Sequence, residues 1–258
     1  MLSYPSFDPV ALSLGPLQLR WYGIMYLLAF TTGWLLARYR VSRPKSGWTA
    51  PQLDDMLLMV MLGVIIGGRL GYVLFYDLPT YLRDPTEIFR IWNGGMSFHG
   101  GLLGVLVAFW LYARRSGRTF LEVSDFVAPL VPTGLFWGRI GNFINGELWG
   151  NVTNSAWGMV FPHSGPLPRH PSQLYEAFFE GLILFVIVWI YSTRKRPSGA
   201  VSGLFAIGYA VFRFGVEFVR TPDANLGYLA LGWLTMGQLL CLPLLVVGLW
   251  LFFRNGYK

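Results

Sequence analysis

Apolar positions in this chain fall into seven long runs separated by short polar loops, at roughly Leu19–Tyr39, Leu53–Tyr76, Ser97–Ala113, Phe120–Trp137, Pro171–Tyr191, Val201–Phe218 and Trp233–Phe253. About 20 apolar residues cross a bilayer core. The runs therefore predict an all-α, polytopic integral membrane protein with seven transmembrane helices, residues 1–258 forming a single membrane domain. The fourth run carries Glu122, Asp125, Pro129 and Pro132, which predicts a kinked span packed inside protein. Ahead of the first run, Met1–Pro16 holds Pro5, Asp8, Pro9 and Pro16 and has no basic n-region. It is expected to lie at the membrane surface rather than to act as a cleaved signal.

Charge then orients the runs. Arg38, Arg40, Arg43 and Lys45 follow run one, and Arg114, Arg115 and Arg118 follow run three. Arg194, Lys195 and Arg196 follow run five, and Arg254 and Lys258 follow run seven. These clusters hold more than half of the 20 Lys and Arg residues. Seven spans put all four on one side, and one span more or fewer would scatter them. By the positive-inside rule that side is cytoplasmic, with the N-terminus outside and the C-terminus inside. The opposite loops carry Asp77, Asp84, Glu87, Glu147 and Asp223. Two of them, about 77–96 and 141–170, are expected to build a small extracytoplasmic cap.

Composition agrees. Charged residues make up 13% and hydrophobic residues 54% of the chain, against about 25% charged in soluble domains. The 11 Trp and 13 Tyr suit bilayer interfaces. A net charge of +7 alone would allow nucleic acid, but its clustering speaks for topology, and no nucleic-acid partner is expected. The lone Cys241 lies in an apolar run and reads as a small buried hydrophobe. No metal-ligand spacing, phosphate loop or nucleophile elbow occurs, so no metal and no cofactor is expected.

The densest chemistry lies at Gly138-Arg139-Ile140-Gly141-Asn142-Phe143-Ile144-Asn145-Gly146-Glu147-Leu148-Trp149-Gly150. It sets a guanidinium, amides and a carboxylate among glycines, directly after an apolar run. Membranes penalise such groups, so they mark function, and the planar fork of Arg suits a phosphate. His99, before Gly100-Gly101, is a candidate proton acceptor near the outer end of run three. Arg213 and Glu217 share one face of run six, with Tyr209 one turn before and Arg220 after. Arg69, in Gly67-Gly68-Arg69-Leu70-Gly71, reads as helix packing. In Arg169-His170-Pro171-Ser172-Gln173-Leu174-Tyr175-Glu176, His170 is a second candidate base, and Gln173 and Glu176 face inward or cap the helix. Trp21-Tyr22-Gly23 reads as an interfacial belt. The residues alone stop at an enzyme or transporter of outer-leaflet phospholipid, or of an anionic solute. A transporter would show repeated halves and matching broken helices, and none is visible.

These motifs closely resemble the bacterial phosphatidylglycerol–prolipoprotein diacylglyceryl transferase family, over nearly the whole chain. The likeness rests on Gly138–Gly150, His99-Gly100-Gly101, Arg169–Glu176 and Phe212-Arg213-Phe214 with Glu217, Phe218 and Arg220. It implies an inner-membrane enzyme with an outward site. That enzyme would move the diacylglyceryl group of phosphatidylglycerol onto the lipobox cysteine thiol of a prolipoprotein signal peptide, forming a thioether and releasing glycerol-1-phosphate. The important residues of that family map to Tyr22, His99, Arg139, Asn142, Glu147, Gly150, Tyr209, Arg213 and Glu217. Arg139 and Arg213 are then expected to stabilise charge on the leaving phosphate and His99 to take the thiol proton. Tyr22, Gly100, Asn142, Asn145, Glu147, Gly150, Tyr209, Glu217 and Arg220 are expected to bind or orient substrate.

Overall fold

The computed structural model describes residues 1–258 apart from 1, 6, 9, 16, 45, 92–93, 223–226 and 255–258. Pro9, Pro16, Lys45, Asp223 and Lys258, used in the sequence reading, lie outside the described residues. The chain is mostly helical and divides into two compact units, 1–36 with 125–258, and 37–124. Among the described residues, three helical segments are long and apolar enough to cross a membrane: Ala50–Phe75, Ser172–Ser192 and Met236–Phe253.

One element departs from the sequence expectation. The surface segment contains an antiparallel hairpin of β1 (Val10–Leu14) and β2 (Leu17–Arg20). Strand β2 takes the start of the first run, so helix α1 begins at Trp21 and ends at Ser42. Alternation in Val10-Ala11-Leu12-Ser13-Leu14, followed by Gly15-Pro16, is a turn-flanked strand signal.

In the unit 37–124, α2 (Ala50–Phe75) packs on α4 (Phe98–Ser116). The short helix α3 (Leu78–Arg83) and a 3₁₀ turn (Pro85–Phe89) lie in the loop between them. The seam is glycine on glycine: a methyl group on Gly104 would sit 1.9 Å from the Gly63 carbonyl oxygen, and one on Gly100 2.3 Å from that of Gly67. Only a missing side chain allows backbones so close. Arg69, 4% exposed, donates to the carbonyls of Ile88 (2.9 Å) and Gly95 (3.0 Å), and also to those of Glu87, Arg90 and Gly94. Its role is structural, but through hydrogen bonds to a loop rather than the helix packing read from sequence, which the glycines supply. It fastens the loop that leads into Ser97, whose hydroxyl caps α4 by accepting from Gly100 N–H at 3.2 Å.

In the unit 1–36 with 125–258, the prolines of the fourth run do what they predict. Helix α5 (Phe120–Val127) stops, and α6 (Val131–Ile144) restarts with Pro132 in its first turn. Asp125, a costly group in an apolar run, accepts from Gly199 N–H (2.7 Å), Ser202 N–H (2.8 Å) and the Ser202 hydroxyl (2.6 Å). It thereby serves the start of α9 (Ala200–Val216). The fifth run is one helical segment of three parts: α7 (Ser172–Glu176), a π turn (Ala177–Ile183) and α8 (Leu184–Ser192). Glu176, Glu180, Leu184 and Val188 on it are all 0% exposed. Leu184 and Val188 form the apolar core with Ala128 and Val201, flanked by Tyr209 and Phe212. Helix α10 (Met236–Phe253) starts on a capping box between Thr235 and Gln238 and packs on α9. Its apolar residues Leu240, Val246 and Trp250 remain exposed, as on a lipid-facing surface.

Candidate active site

Helix α6, the α7 segment with its π turn, and α9 with the residues just after it bring six charged side chains together inside the larger unit. Glu176 stands at the centre. Its Oε2 lies 2.5 Å from Arg139 Nε and 2.8 Å from Arg213 Nη1, and its Oε1 lies 3.7 Å from Arg220 Nε. Arg213 also meets Glu217 Oε2 at 2.9 Å and Glu180 Oε1 at 3.8 Å, and Arg220 Nη1 lies 3.6 Å from Glu217 Oε1. The Thr235 hydroxyl donates to Glu217 Oε1 at 2.9 Å, at the first turn of α10. A helix N-terminus carries partial positive charge and suits that carboxylate. Among the described residues Glu180 has no hydrogen bond on either oxygen.

A second chain of contacts runs from Arg139 into the following loop. Arg139 Nη1 donates to Asn142 Oδ1 (3.3 Å), and Asn142 Nδ2 donates to Glu147 Oε1 (2.8 Å), which also takes a 3.4 Å contact from Asn145 Nδ2. The loop reverses sharply after α6 because Gly146 and Leu148 both adopt left-handed backbone, φ 65° and 57°. Leu148 has no glycine freedom, and such strain persists only where its surroundings hold it. Here Gln173 donates to the Glu147 carbonyl, and the Ser172 hydroxyl donates to the Leu148 carbonyl at 3.0 Å. The end of α6 is held from the other side by Tyr4, whose hydroxyl reaches the carbonyls of Phe143 (2.7 Å) and Ile144 (3.0 Å).

Gly150 owes its place to close backbone approach. It donates to His170 O at 2.8 Å, and Asn151 N–H donates to Val219 O at 2.8 Å. A methyl group on Gly150 would sit 2.4 Å from Val219 O and 2.7 Å from His170 Cβ. Gly150→Ala is therefore expected to destabilise by about 1–3 kcal/mol and to disturb the Arg220 backbone paired with it. A thermal midpoint equal to wild type would show that the crossing yields without cost.

Tyr22 packs edge-on against Tyr26 (5.1 Å) near Gly141 and lies in electrostatic reach of Glu147 and Arg139. Tyr209 lies in similar reach of Glu180, Arg213, Arg139 and Glu176. His170 Nδ1 is 3.0 Å from the Tyr175 hydroxyl, which accepts from Trp157 Nε1 at 2.6 Å. Burial lowers the His170 pKa from its ordinary value, favouring the neutral ring. A cavity of about 510 Å³ borders it, lined by Trp157, Tyr175, Phe179, Phe212 and Val216 among others. His99 and Gly100 belong to the other unit, where His99 is exposed in the first turn of α4 and Gly100 is buried against α2.

The structure thus gathers Arg139, Asn142, Asn145, Glu147, Arg213, Glu217 and Arg220 in one network, with Tyr22 and Tyr209 at its edges. Sequence reasoning gave Glu176 a facing or capping role and passed over Glu180 and Thr235. The signal for the first two was present: carboxylates four residues apart in an apolar run, as with Arg213 and Glu217. Among the described residues no group of His, Cys, Asp and Glu side chains is arranged to hold a metal. The side chain of Arg139 is 19% exposed, against 11% for Arg213 and 9% for Arg220, so a ligand reaches Arg139 most readily.

The family model described as prolipoprotein diacylglyceryl transferase matches residues 9–254. A protein of Nitratidesulfovibrio vulgaris named phosphatidylglycerol–prolipoprotein diacylglyceryl transferase is 66% identical over 258 residues, covering 100% of this chain and 98% of that protein. Proteins of the same name from Solidesulfovibrio magneticus and Pseudomonas aeruginosa are 62% and 59% identical, covering 99% and 96% of this chain and 97% and 94% of their own lengths.

Proposed function

The chain belongs to the prolipoprotein diacylglyceryl transferase family, and from that premise we propose how its residues move a diacylglyceryl group from phosphatidylglycerol to a prolipoprotein. The acceptor is the thiol of the lipobox cysteine in the signal peptide. Its sulfur attacks the glycerol carbon that bears the phosphate. A C–S bond forms, the C–O bond breaks with its electron pair, and glycerol-1-phosphate leaves. The thiolate is the nucleophile, so the thiol proton goes to a base. His99 at the start of α4 is the proposed base.

The observation that carries this reading is the set of three arginines held by buried carboxylates around Glu176. Charge grows on the phosphate as the C–O bond breaks. Guanidinium groups fixed beforehand in a dry site stabilise it without reorganising. Arg139, the most open of them, takes the phosphate first, and Asn142 and Glu147 fix its direction. The apolar cavity on the adjacent face of α9 offers room for hydrocarbon. The lone Cys241 is buried in α10, and the nucleophile of the proposed reaction belongs to the substrate.

We place the protein in the bacterial inner membrane as a single seven-span domain. Its N-terminus and active site face the periplasm, its C-terminus the cytoplasm, and the loops 77–96 and 141–170 form a cap. The three long apolar helices and the shorter apolar Ala200–Val216 support a membrane-embedded chain. The alternative is a transporter of phospholipid or anionic solute. Purified protein incubated with phosphatidylglycerol vesicles and a lipobox peptide separates the two: the peptide gains one diacylglyceryl unit on its thiol only if the chain is the enzyme. In the same assay His99→Gln is expected to lower the rate about 10²–10⁴-fold and to change its pH profile. A near-normal rate with an unchanged profile would remove His99 from proton transfer.

A further inference from the structure

At the C-terminal end of α8 lies a second cavity, of about 500 Å³, lined by Ile190, Tyr191, Thr193, Arg194, Arg196 and Leu204 among others. It is separate from the arginine network. Glu176 and this cavity stand at opposite ends of the helical segment Ser172–Ser192. At 1.5 Å per residue that segment is about 30 Å long, one hydrocarbon thickness. On the membrane-embedded reading proposed above, on which this inference rests, the network and the cavity sit at opposite faces of the bilayer.

The cavity is cationic without compensation. Among the described residues Arg194, Lys195 and Arg196 form no ion pair, and Arg194 makes no hydrogen bond to protein. Arg196 is fixed in place: its guanidinium stacks on the Tyr191 ring at 3.9 Å, and its Nε donates to Tyr191 O at 3.0 Å. The remaining nitrogens of its fork stay open for an anion. Thr193 donates its hydroxyl to Ile190 O at 2.7 Å. Asp125, the carboxylate serving the next helix, is already taken by Gly199 and Ser202. Below the charges the wall turns apolar at Ile187, Ile190 and Leu204, next to the exposed α8 residue Val186. The fixed guanidinium of Arg196 and the exposed one of Arg194, beside an apolar wall, match a phosphate head on two acyl chains. A free phosphate would have no use for the wall.

We propose that this cavity binds the headgroup of an anionic phospholipid from the leaflet opposite the active site. The lipid phosphate lies between Arg194 and Arg196, with the first acyl methylenes against Ile187, Ile190 and Leu204. The site neither touches nor depends on the transfer machinery.

The test uses the full chain in phosphatidylcholine vesicles containing a trace of photoactivatable phosphatidic acid, or of phosphatidylcholine with the same label. Labelled peptides are then mapped. Phosphatidic acid should label the segment 186–204 well above phosphatidylcholine, and excess inorganic phosphate should not displace it. The double variant R194Q/R196Q should lose about 30-fold of that labelling, R194K/R196K should retain most of it, and both should transfer diacylglyceryl groups at the wild-type rate. Equal labelling by the two lipids in the wild-type chain would overturn the proposal even if the variants fail to fold. Undiminished labelling of R194Q/R196Q would overturn it as well. Displacement by inorganic phosphate would replace the lipid with a soluble anion.

Discussion

Arg139→Ala is expected to lower diacylglyceryl transfer by at least about 10²–10³-fold, the cost of removing one fixed donor from developing negative charge. Three observations set the size. Arg139 is the most accessible guanidinium of the network. Its Nε is already oriented by Glu176 at 2.5 Å. Its Nη1 is steered by Asn142, which Glu147 holds in turn. A group fixed on two sides gives up no order when it meets a phosphate. Arg139→Lys should recover little, because an ammonium cannot reproduce the fork that engages Glu176 and a phosphate together. Rates with the lipobox peptide, beside a thermal midpoint showing that the variant is folded, check this. Full activity in Arg139→Ala would refute the phosphate role.

Glu176→Ala is expected to have the largest effect on stability, about 3–5 kcal/mol, the usual cost of stranding a buried charge by removing its partner. Glu176 is 0% exposed and lies within 4 Å of all three arginines. Without it, among the described residues, Arg139 has no carboxylate in ion-pair range, and Arg213 keeps Glu217 and the more distant Glu180. For a chain of this size the loss corresponds to a midpoint lower by roughly 6–20 °C. Glu176→Gln, which keeps the shape and one acceptor, should fall between the two. A Glu176→Ala midpoint within a degree or two of wild type would mean that water or lipid compensates the arginines, and the network would not be the rigid centre described above.

Much of this was readable in the amino-acid sequence, for definite reasons. Apolar runs place helices because a bilayer-crossing helix must be apolar over its length. The observed α2, α4, α9 and α10 begin and end within a few residues of the runs that predict them. Pro129 and Pro132 gave the break between α5 and α6 because proline cannot continue a helix. The residues of Gly138–Gly150 stood out because polar groups are costly where they occur. Pairing was not readable. Nothing in the sequence says that Arg139 and Arg213, 74 positions apart, share one carboxylate on a third helix. That depends on packing, such as Gly181, where a methyl group would fall 2.7 Å from Phe136 Cβ. The hairpin was missed because an alternating stretch beside a long apolar run was read as part of a surface segment. The role of Gly150 was also out of reach, since its crowding comes from Val219 and His170, distant in sequence.

The π turn in the middle of the fifth run has one more consequence. Residues four apart on a regular α-helix do not stay in line: each step advances by about 40° around the axis, so Glu176, Glu180, Leu184 and Val188 would spiral away from their neighbours. A wider turn at Ala177–Ile183 takes back that angular drift. All four side chains remain fully covered, the two acids toward one end of the segment and the two apolar residues toward the other. The acids are therefore aimed by the oily half of the same rod. Leu184 and Val188, wedged between Ala128 and Val201, act as the keel that keeps two carboxylates pointed at their arginines.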